Sequence, residues 1–346
     1  MASRAPGGLG RTAGPILGPP RVSVESTDSW RPGATHAALR RRAALLARVR
    51  DFFAARGVLE VETPILSAAG VTDPQIDSLT TCIAGVPGKH YLSSSPEFPM
   101  KRLLASGIGD IYQLCKVFRD GEIGRWHNPE FTMLEWYRLG FDDTALMSEV
   151  DVLVRDLLAP GRLLGPAERL TYAESIRRYA GVDPDGCTEE DLDRAAETHG
   201  IVCEAPLDRD AKLDLLMALV VGPKLGAEHP CFICDYPASQ ASLARLKPGS
   251  PRVAARFELY LDGIELANGF HELSDAREQR TRFLRDLATR RERRRHEPPI
   301  DEHLLSALAA GMPDCAGVAL GFDRLVAIAL KAPRLSDTMA FSINNA

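Results

Sequence analysis

Residues 114–138, LCKVFRDGEIGRWHNPEFTMLEWYR, decide how the rest of this 346-residue chain is read. The stretch opens inside an apolar run, Ile111 to Phe118, and closes on residues 131–138, rich in aromatic and large apolar side chains. Both ends predict strands. The loop between them carries Arg119, Asp120, Glu122, Arg125, His127 and Asn128. An arginine held between two rigid strands can grip a polyphosphate, because its planar fork meets phosphate oxygens with two hydrogen bonds. On charge alone, a solvated hairpin turn accounts for the loop equally well.

Working upstream, Thr35 predicts the cap of a helix running to about Arg56. Leu39, Ala43, Leu46, Val49 and Phe53 fall at helical spacing, and Gly57 supplies the stop. Residues 58–63 alternate, with Leu59, Val61 and Thr63 on one face and Glu60 and Glu62 on the other; Pro64, which has no N–H, ends the strand. Ser95-Pro96-Glu97 follows a short strand over 90–93. Ser at the cap and Pro at the first position predict a helix over 97–106.

Downstream, residues 144–158 form an amphipathic pattern stopped by Pro160-Gly161. Thr188, with Asp191 three residues on, opens a second helix through a capping box. A third covers 207–226, and none of the three carries chemistry. Cys231 and Cys234 sit in an apolar strand over 231–236 and read as alternating buried thiols rather than a redox or zinc pair. Residues 257–269, FELYLDGIELANG, hold a hairpin signal in Asp262-Gly263. That turn pairs Leu261 with Ile264 and Tyr260 with Glu265, so Glu258, Tyr260 and Glu265 share one face. Two carboxylates so close repel unless a cation lies between them. Mg²⁺ fits, since it binds through one or two carboxylates plus phosphate oxygens. Exposed to water, the same pair would merely be solvated. Residues 275–296 predict a charged helix whose basic end, RRERRRHEPP, reads as a solvated face.

The net charge of −5 argues against general nucleic-acid binding, and the 45% apolar content is globular. No apolar run is long enough to span a bilayer. Seven cysteines without regular pairing, and no secretory apolar segment, fit a reducing cytoplasm. Residues 1–31, rich in Gly and Pro, predict a disordered tail.

FRDGEIGRWHNPEFTMLEWYR resembles motif 2 of the class II aminoacyl-tRNA synthetases, in the form of the lysyl branch. RGVLEVETP, residues 56–64, resembles motif 1, and GVALGFDRL, residues 317–325, resembles motif 3. The resemblance covers nearly everything after the tail. It implies an α+β fold over 32–346: a class II synthetase catalytic domain, with a mostly antiparallel sheet flanked by helices. It also implies a homodimer built through motif 1, with ATP and Mg²⁺ at the site.

By the same resemblance, Arg119 holds the α-phosphate of ATP and the amino-acid carboxylate. His127 and the loop residues Asp120, Gly121 and Glu122 lie over the nucleotide, Asn128 contacts the substrate side, and Phe131 stacks on adenine. Glu258 and Glu265 hold Mg²⁺ and ATP, with Leu266 beside them. Gly321 brings the backbone close to adenine, and Arg324 reaches the γ-phosphate. Ser95, Pro96, Glu97, Tyr137, Asn268, Glu272 and Ala319 form the lysine pocket, with Glu97 and Glu272 meeting ammonium groups.

Three departures stand out. The family usually has Glu, on the adenine amino group, where this chain has Gly121; Glu122 or Asp120 is left to replace it. PASQASLA, residues 237–244, has Ser242 for Pro and Gln240 for an apolar residue, which predicts an altered pocket edge. Ala319 stands for the usual Gly, and its methyl should disfavour α-lysine. Lysyl-tRNA synthetases also carry an N-terminal β-barrel that reads the anticodon, and motif 1 here starts too early to leave room for one. The chain therefore resembles the truncated lysyl-type paralogues that attach β-lysine to a lysine ε-amine of translation elongation factor P, and no stable tRNA binding is expected. A ligase for tRNA or another acceptor, and a catalytically silent lysine-binding paralogue, remain the alternatives; Gly121 speaks for the second.

Overall fold

The computed structural model describes residues 30–159, 161–202, 207–249 and 252–346. Of the tail expected over residues 1–31, all but Trp30 and Arg31 lie outside the described residues.

Thr35 caps α1 (His36–Ala54), its hydroxyl accepting from the Ala38 N–H at 3.2 Å. The stripe that α1 buries is Ala38, Leu45, Val49, Phe52 and Phe53. Ala43 is exposed and Leu39 and Leu46 are half-buried, so the helix is rotated from the expected stripe. The alternation over 58–63 also fails. β1 (Leu59–Glu60) is two residues long, both exposed, while Val58 and Val61 are buried. It is an edge strand with a single neighbour, so no full period-2 face is needed there.

β2 (Leu66–Ser67), β3 (Thr80–Thr81) and β4 (His90–Leu92) make a small separate sheet in the order β2-β4-β3. Then come α2 (Glu97–Ala105), β5 (Ile111–Phe118), β6 (Glu130–Leu139) and α3 (Asp143–Leu158). β7 (Glu168–Thr171) leads straight into α4 (Tyr172–Ala180), followed by α5 (Glu189–Thr198) and α6 (Arg209–Leu216). The helix expected over 207–226 is broken: after α6 it widens into a π turn, Met217–Val221, and tightens into a 3₁₀ turn, Gly222–Lys224. β8 (Cys231–Pro237), β9 (Val253–Leu261), β10 (Ile264–His271), α7 (Ala276–Glu292), α8 (Glu302–Gly311), β11 (Cys315–Gly321) and α9 (Phe322–Leu330) complete the order.

The main sheet has eight strands in the order β1-β5-β6-β11-β10-β9-β8-β7. Its inner pairings are antiparallel, and only the end strands β1 and β7 pair parallel. One face is dry. Leu134 and Trp136 of β6, Ala316, Val318 and Leu320 of β11, and Phe257 and Leu259 of β9 join α1, α3 and α9 in the largest core. Side chains alternate across a strand, so the intervening residues Met133, Glu135, Tyr137, Gly317, Ala319 and Glu258 fall on the opposite face. That face carries the candidate site.

Three residues apart on one strand, Cys231 and Cys234 are on opposite faces and cannot share an ion. Cys231 packs with Ile233 and Tyr236, while Cys234 lies against the large core. Burial pushes both thiols up, to about 12 for Cys231 and about 11 for Cys234. Among the described cysteines, alkylation of the native protein at pH 8 should therefore modify exposed Cys82 first and spare Cys231, Cys234 and Cys315 until denaturant is added. Rapid native labelling of Cys231 would contradict this packing.

The basic end of α7 is not simply a solvated face. Arg290 is 2% exposed and donates to the carbonyls of Asp73, Ile76 and His296 and to Asp77 Oδ1. It thereby fixes the segment 73–77, whose Asp77 carbonyl accepts from the Asp120 N–H at 2.8 Å. Among the described residues, no helix is long and apolar enough to cross a membrane.

Candidate active site

Helix α1 and motifs 2 and 3 meet at one buried aspartate. Asp323, in the first turn of α9, accepts from the Thr132 N–H of β6 at 2.7 Å and pairs with Arg42 of α1. Arg42 also donates to the Thr132 hydroxyl at 2.8 Å. This junction locks the three elements before any substrate arrives. Beside it opens a cleft of about 790 Å³.

One end of the cleft is cationic. Arg119, at the end of β5, lies over the Phe131 ring at 5.1 Å and 3.6 Å from Glu122, and its buried Nε has no hydrogen-bond partner among the described residues. Arg324 donates from its Nη1 to the Glu265 carbonyl at 2.8 Å, and its Nη2 meets His127 Nε2 at 2.9 Å. Desolvation and the Arg324 charge lower the His127 pKa, which keeps the imidazole neutral and able to accept from that guanidinium. These side chains frame one volume in which a polyphosphate finds two guanidinium forks.

The structure separates the two candidates for the missing adenine contact. Gly121 has φ +75°, a left-handed turn that favours glycine over Glu. Past that turn, Glu122 faces the main cleft, whereas Asp120 lines a smaller cavity behind it with Asp77, Lys89 and Arg295. Asn128 departs from expectation. It borders the cleft, but its amide donates to the Glu130 carbonyl at 2.6 Å and accepts from the Ile343 N–H at 3.0 Å, so it shapes the loop. Leu266 also borders the cleft while its side chain is buried in the core.

The hairpin forms as read, with Tyr260 opposite Glu265 and Leu261 opposite Ile264. A bulge between Glu265 and Ala267 then shifts the register, so Glu258 stands opposite Asn268. Glu258 accepts from Arg256 at 2.6 Å and from the Tyr260 hydroxyl at 2.7 Å. Desolvation and the Glu258 charge raise the pKa of Glu265. A strained like-charge pair of hard oxygen donors beside an arginine-lined cleft fits Mg²⁺, with phosphate oxygens and water completing the shell. No cluster of three or more metal-binding side chains is present among the described residues.

The other end of the cleft is anionic, and here sequence reasoning fell short. The N-cap of α2 is Pro96, not Ser95 as expected; Ser95, one residue earlier, accepts from the Glu97 N–H at 3.0 Å. The Ser95 hydroxyl donates to Glu135 Oε2 at 2.7 Å and the Tyr137 hydroxyl to Glu135 Oε1 at 2.6 Å. Glu97 and Glu272 were expected to await ammonium groups of a substrate. Instead both already contact the ammonium of Lys101, each at 2.6 Å. Glu135 and Lys101, 2% and 1% exposed, were not singled out from the sequence. The signal for Glu135 was its odd-numbered place on β6 between Met133 and Tyr137; Lys101 was marked by its i,i+4 spacing from Glu97. Ala319 sits between Glu135 on β6 and Asn268 on β10.

The family model for class II tRNA synthetases (D, K and N) matches residues 23–345. The chain belongs to this family. Its class II relatives include an elongation factor P–(R)-beta-lysine ligase of Salmonella arizonae, 49% identical over 330 residues, 93% of this chain and 100% of that one. A protein of the same name from Sodalis glossinidius is 50% identical over 337 residues, again 93% of this chain and 100% of the other. The α+β architecture and the mostly antiparallel sheet are those expected of a class II synthetase domain.

Proposed function

We propose that this class II enzyme activates (R)-β-lysine, or lysine, as an aminoacyl-adenylate and transfers it to a lysine ε-amine of translation elongation factor P. The observation that carries the proposal is the division of charge within one cleft. Arg119 and Arg324 line one part of it and half-buried Glu97 another, where Lys101 joins Glu97 to the buried Glu272 and the lining residue Ser95 bonds the buried Glu135. A substrate with a carboxylate to activate and two ammonium groups to bury matches that gradient. The names of the relatives supply the acceptor.

In the first step the amino-acid carboxylate attacks the α-phosphorus of ATP, a new P–O bond forms, and pyrophosphate leaves. Arg119 binds the α-phosphate and the attacking carboxylate together, and Arg324 binds the outgoing phosphates. Mg²⁺, held by Glu258 and Glu265, supplies further positive charge to the phosphates when bound. Glu122 takes the adenine contact left open at Gly121, and Phe131 the stacking surface. Holding the reactants in line can supply about 7–11 kcal/mol of the barrier. The acceptor amine then attacks the activated carbonyl, AMP leaves, and the amine proton passes to solvent.

A homodimer through the α1–β1 corner belongs to the same reading, supported by Leu59 of β1, a large apolar side chain 51% exposed.

The test is ATP–pyrophosphate exchange with α-lysine and with (R)-β-lysine, followed by transfer to purified elongation factor P and to tRNA. Faster exchange with β-lysine, and label on the protein alone, are expected. Label on tRNA would establish the tRNA ligase instead, and no exchange with either amino acid would rule out the enzyme.

A further inference from the structure

The anionic end of the cleft has an internal cation, and the charges there do not balance. Lys101 is buried and touches Glu97 and Glu272 at 2.6 Å each. Among the described residues Glu135 has no ion pair; its partners are the Ser95 and Tyr137 hydroxyls. If all three carboxylates are ionised, the cluster carries two uncompensated negative charges in a site almost closed to water. Isolated buried charge is costly enough that such groups take up a proton instead.

We propose that Lys101 is a buried counter-ion: it bridges Glu97 and Glu272, leaves Glu135 as the seat of a proton in the free enzyme, and makes entry of a substrate's second ammonium expel that proton. The inference rests on the function proposed above and deepens it. The bridged trio presents one negative charge to the first ammonium, and Glu135, once deprotonated, presents the other to the second. A monoamino acid brings one ammonium, which the bridged trio alone neutralises, so it leaves the Glu135 proton in place. Proton release on binding therefore distinguishes diamino from monoamino acids.

The surroundings of Glu135 agree. Glu97 and Lys101 face it from α2, Gln113 and Cys115 from β5, Tyr137 from its own strand, and Glu272 from beyond β10, while Ala319 of β11 is uncharged. Burial, then the Glu97 charge, pushes Glu135 up to about 8, against the Tyr137 and Ser95 hydrogen bonds and the weaker pull of Lys101. Burial likewise pushes Glu272 up to about 7, but there Lys101 opposes it directly. The sign follows. Proton and ammonium compete for Glu135, so affinity for a diamino acid should rise as pH climbs to about 8 and fall again once the ligand's own ammonium groups lose their protons.

Calorimetric titration of the whole enzyme with lysine or (R)-β-lysine, in phosphate and in Tris buffers, reads the proton directly from the buffer dependence of the heat. Release of about one proton per site is expected at pH 7 and much less at pH 8.5, where most of Glu135 is already ionised. In Glu135→Gln the release should vanish. Lys101→Met removes the resident cation, so the cluster should take up a further proton. Binding at pH 7 should then weaken at least tenfold and recover toward pH 9, with ATP affinity unchanged. A purely structural lysine would lose binding equally at every pH. Lysine binding without buffer-dependent heat at pH 7 would overturn this inference while leaving the proposed function standing. ATP binding with no binding of either amino acid would instead overturn the function. The wild-type titration decides the matter even if Lys101→Met fails to fold.

Discussion

Replacing Arg119 with alanine should lower ATP–pyrophosphate exchange by about 10²–10³-fold, the usual cost of removing one preorganised donor from a developing charge. The residue is positioned for this loss to be functional. Its guanidinium is held over Phe131 at 5.1 Å, steadied by Glu122 at 3.6 Å, and keeps a buried Nε without a partner. Little of the fold depends on it. The Arg119–Glu122 pair is partly exposed, 25% and 28%, and such pairs contribute about 0–1 kcal/mol. Thermal unfolding should therefore move by only a few degrees. Arg119→Lys keeps the charge but loses the planar fork, so it should fall between wild type and alanine. Exchange rates and melting curves on the three proteins make the check. Undiminished exchange in Arg119→Ala, or a collapse of stability that accounts for the lost rate, would remove Arg119 from its proposed role.

The sequence was legible where local chemistry decides structure. The Asp262-Gly263 hairpin has its expected register at the turn, and Thr188 with Asp191 makes the capping box as read. A second box, Thr171 with Glu174 at the start of α4, carried the same signal and went unread. The failures lie where a distant partner decides. Nothing local marks the bulge that moves Glu258 opposite Asn268, and an edge strand such as β1 need not alternate. Arg290 looked like one of several solvated arginines because its acceptors, the carbonyls of Asp73 and Ile76, lie more than two hundred residues away in the chain.

The same limit explains the candidate site. Its arginines and hairpin glutamates stand in motifs whose residue types announce phosphate chemistry, so they could be named in advance. The amino-acid end is built from single residues on α2, β6 and the segment after β10, and its meaning lies in which of them touch. A lysine four residues after a glutamate reads as an ordinary helical pair. Only the arrival of Glu272, 171 positions further along the chain from Lys101, turns that pair into a buried bridge. Charge pairing across the sheet therefore has to be seen, whereas strand faces can be counted.

Gly317→Ala should damage the amino-acid end of the cleft through a single methyl. The added Cβ would lie 2.2 Å from Tyr137 Cε1 and 2.6 Å from Glu272 Oε1, far inside contact distance. Backbone strain is not the issue, because Gly317 does not have a positive φ. The obstacle is that neither neighbour can yield. Tyr137 is buried and donates to Glu135, and Glu272 is held by Lys101, so relief means breaking one of these bonds. Overpacking of this kind costs about 1–3 kcal/mol of stability, and moving binding groups by about 1 Å can cost 10²-fold in rate. The expected result is a folded enzyme of lowered melting temperature whose KM for lysine rises more than tenfold, with KM for ATP little changed. Gly321→Ala is the matched control. There a Cβ would meet only Arg324 side-chain carbons, at 3.5 Å and beyond, which is ordinary contact. Its fold should be intact, and any loss should fall on ATP, because the methyl would enter the cleft where the nucleotide is proposed to lie. If instead both variants raised KM for the same substrate, the division of the cleft into a phosphate end and an ammonium end would be wrong, because the two glycines flank Ala319 on one strand and differ only in which end they face.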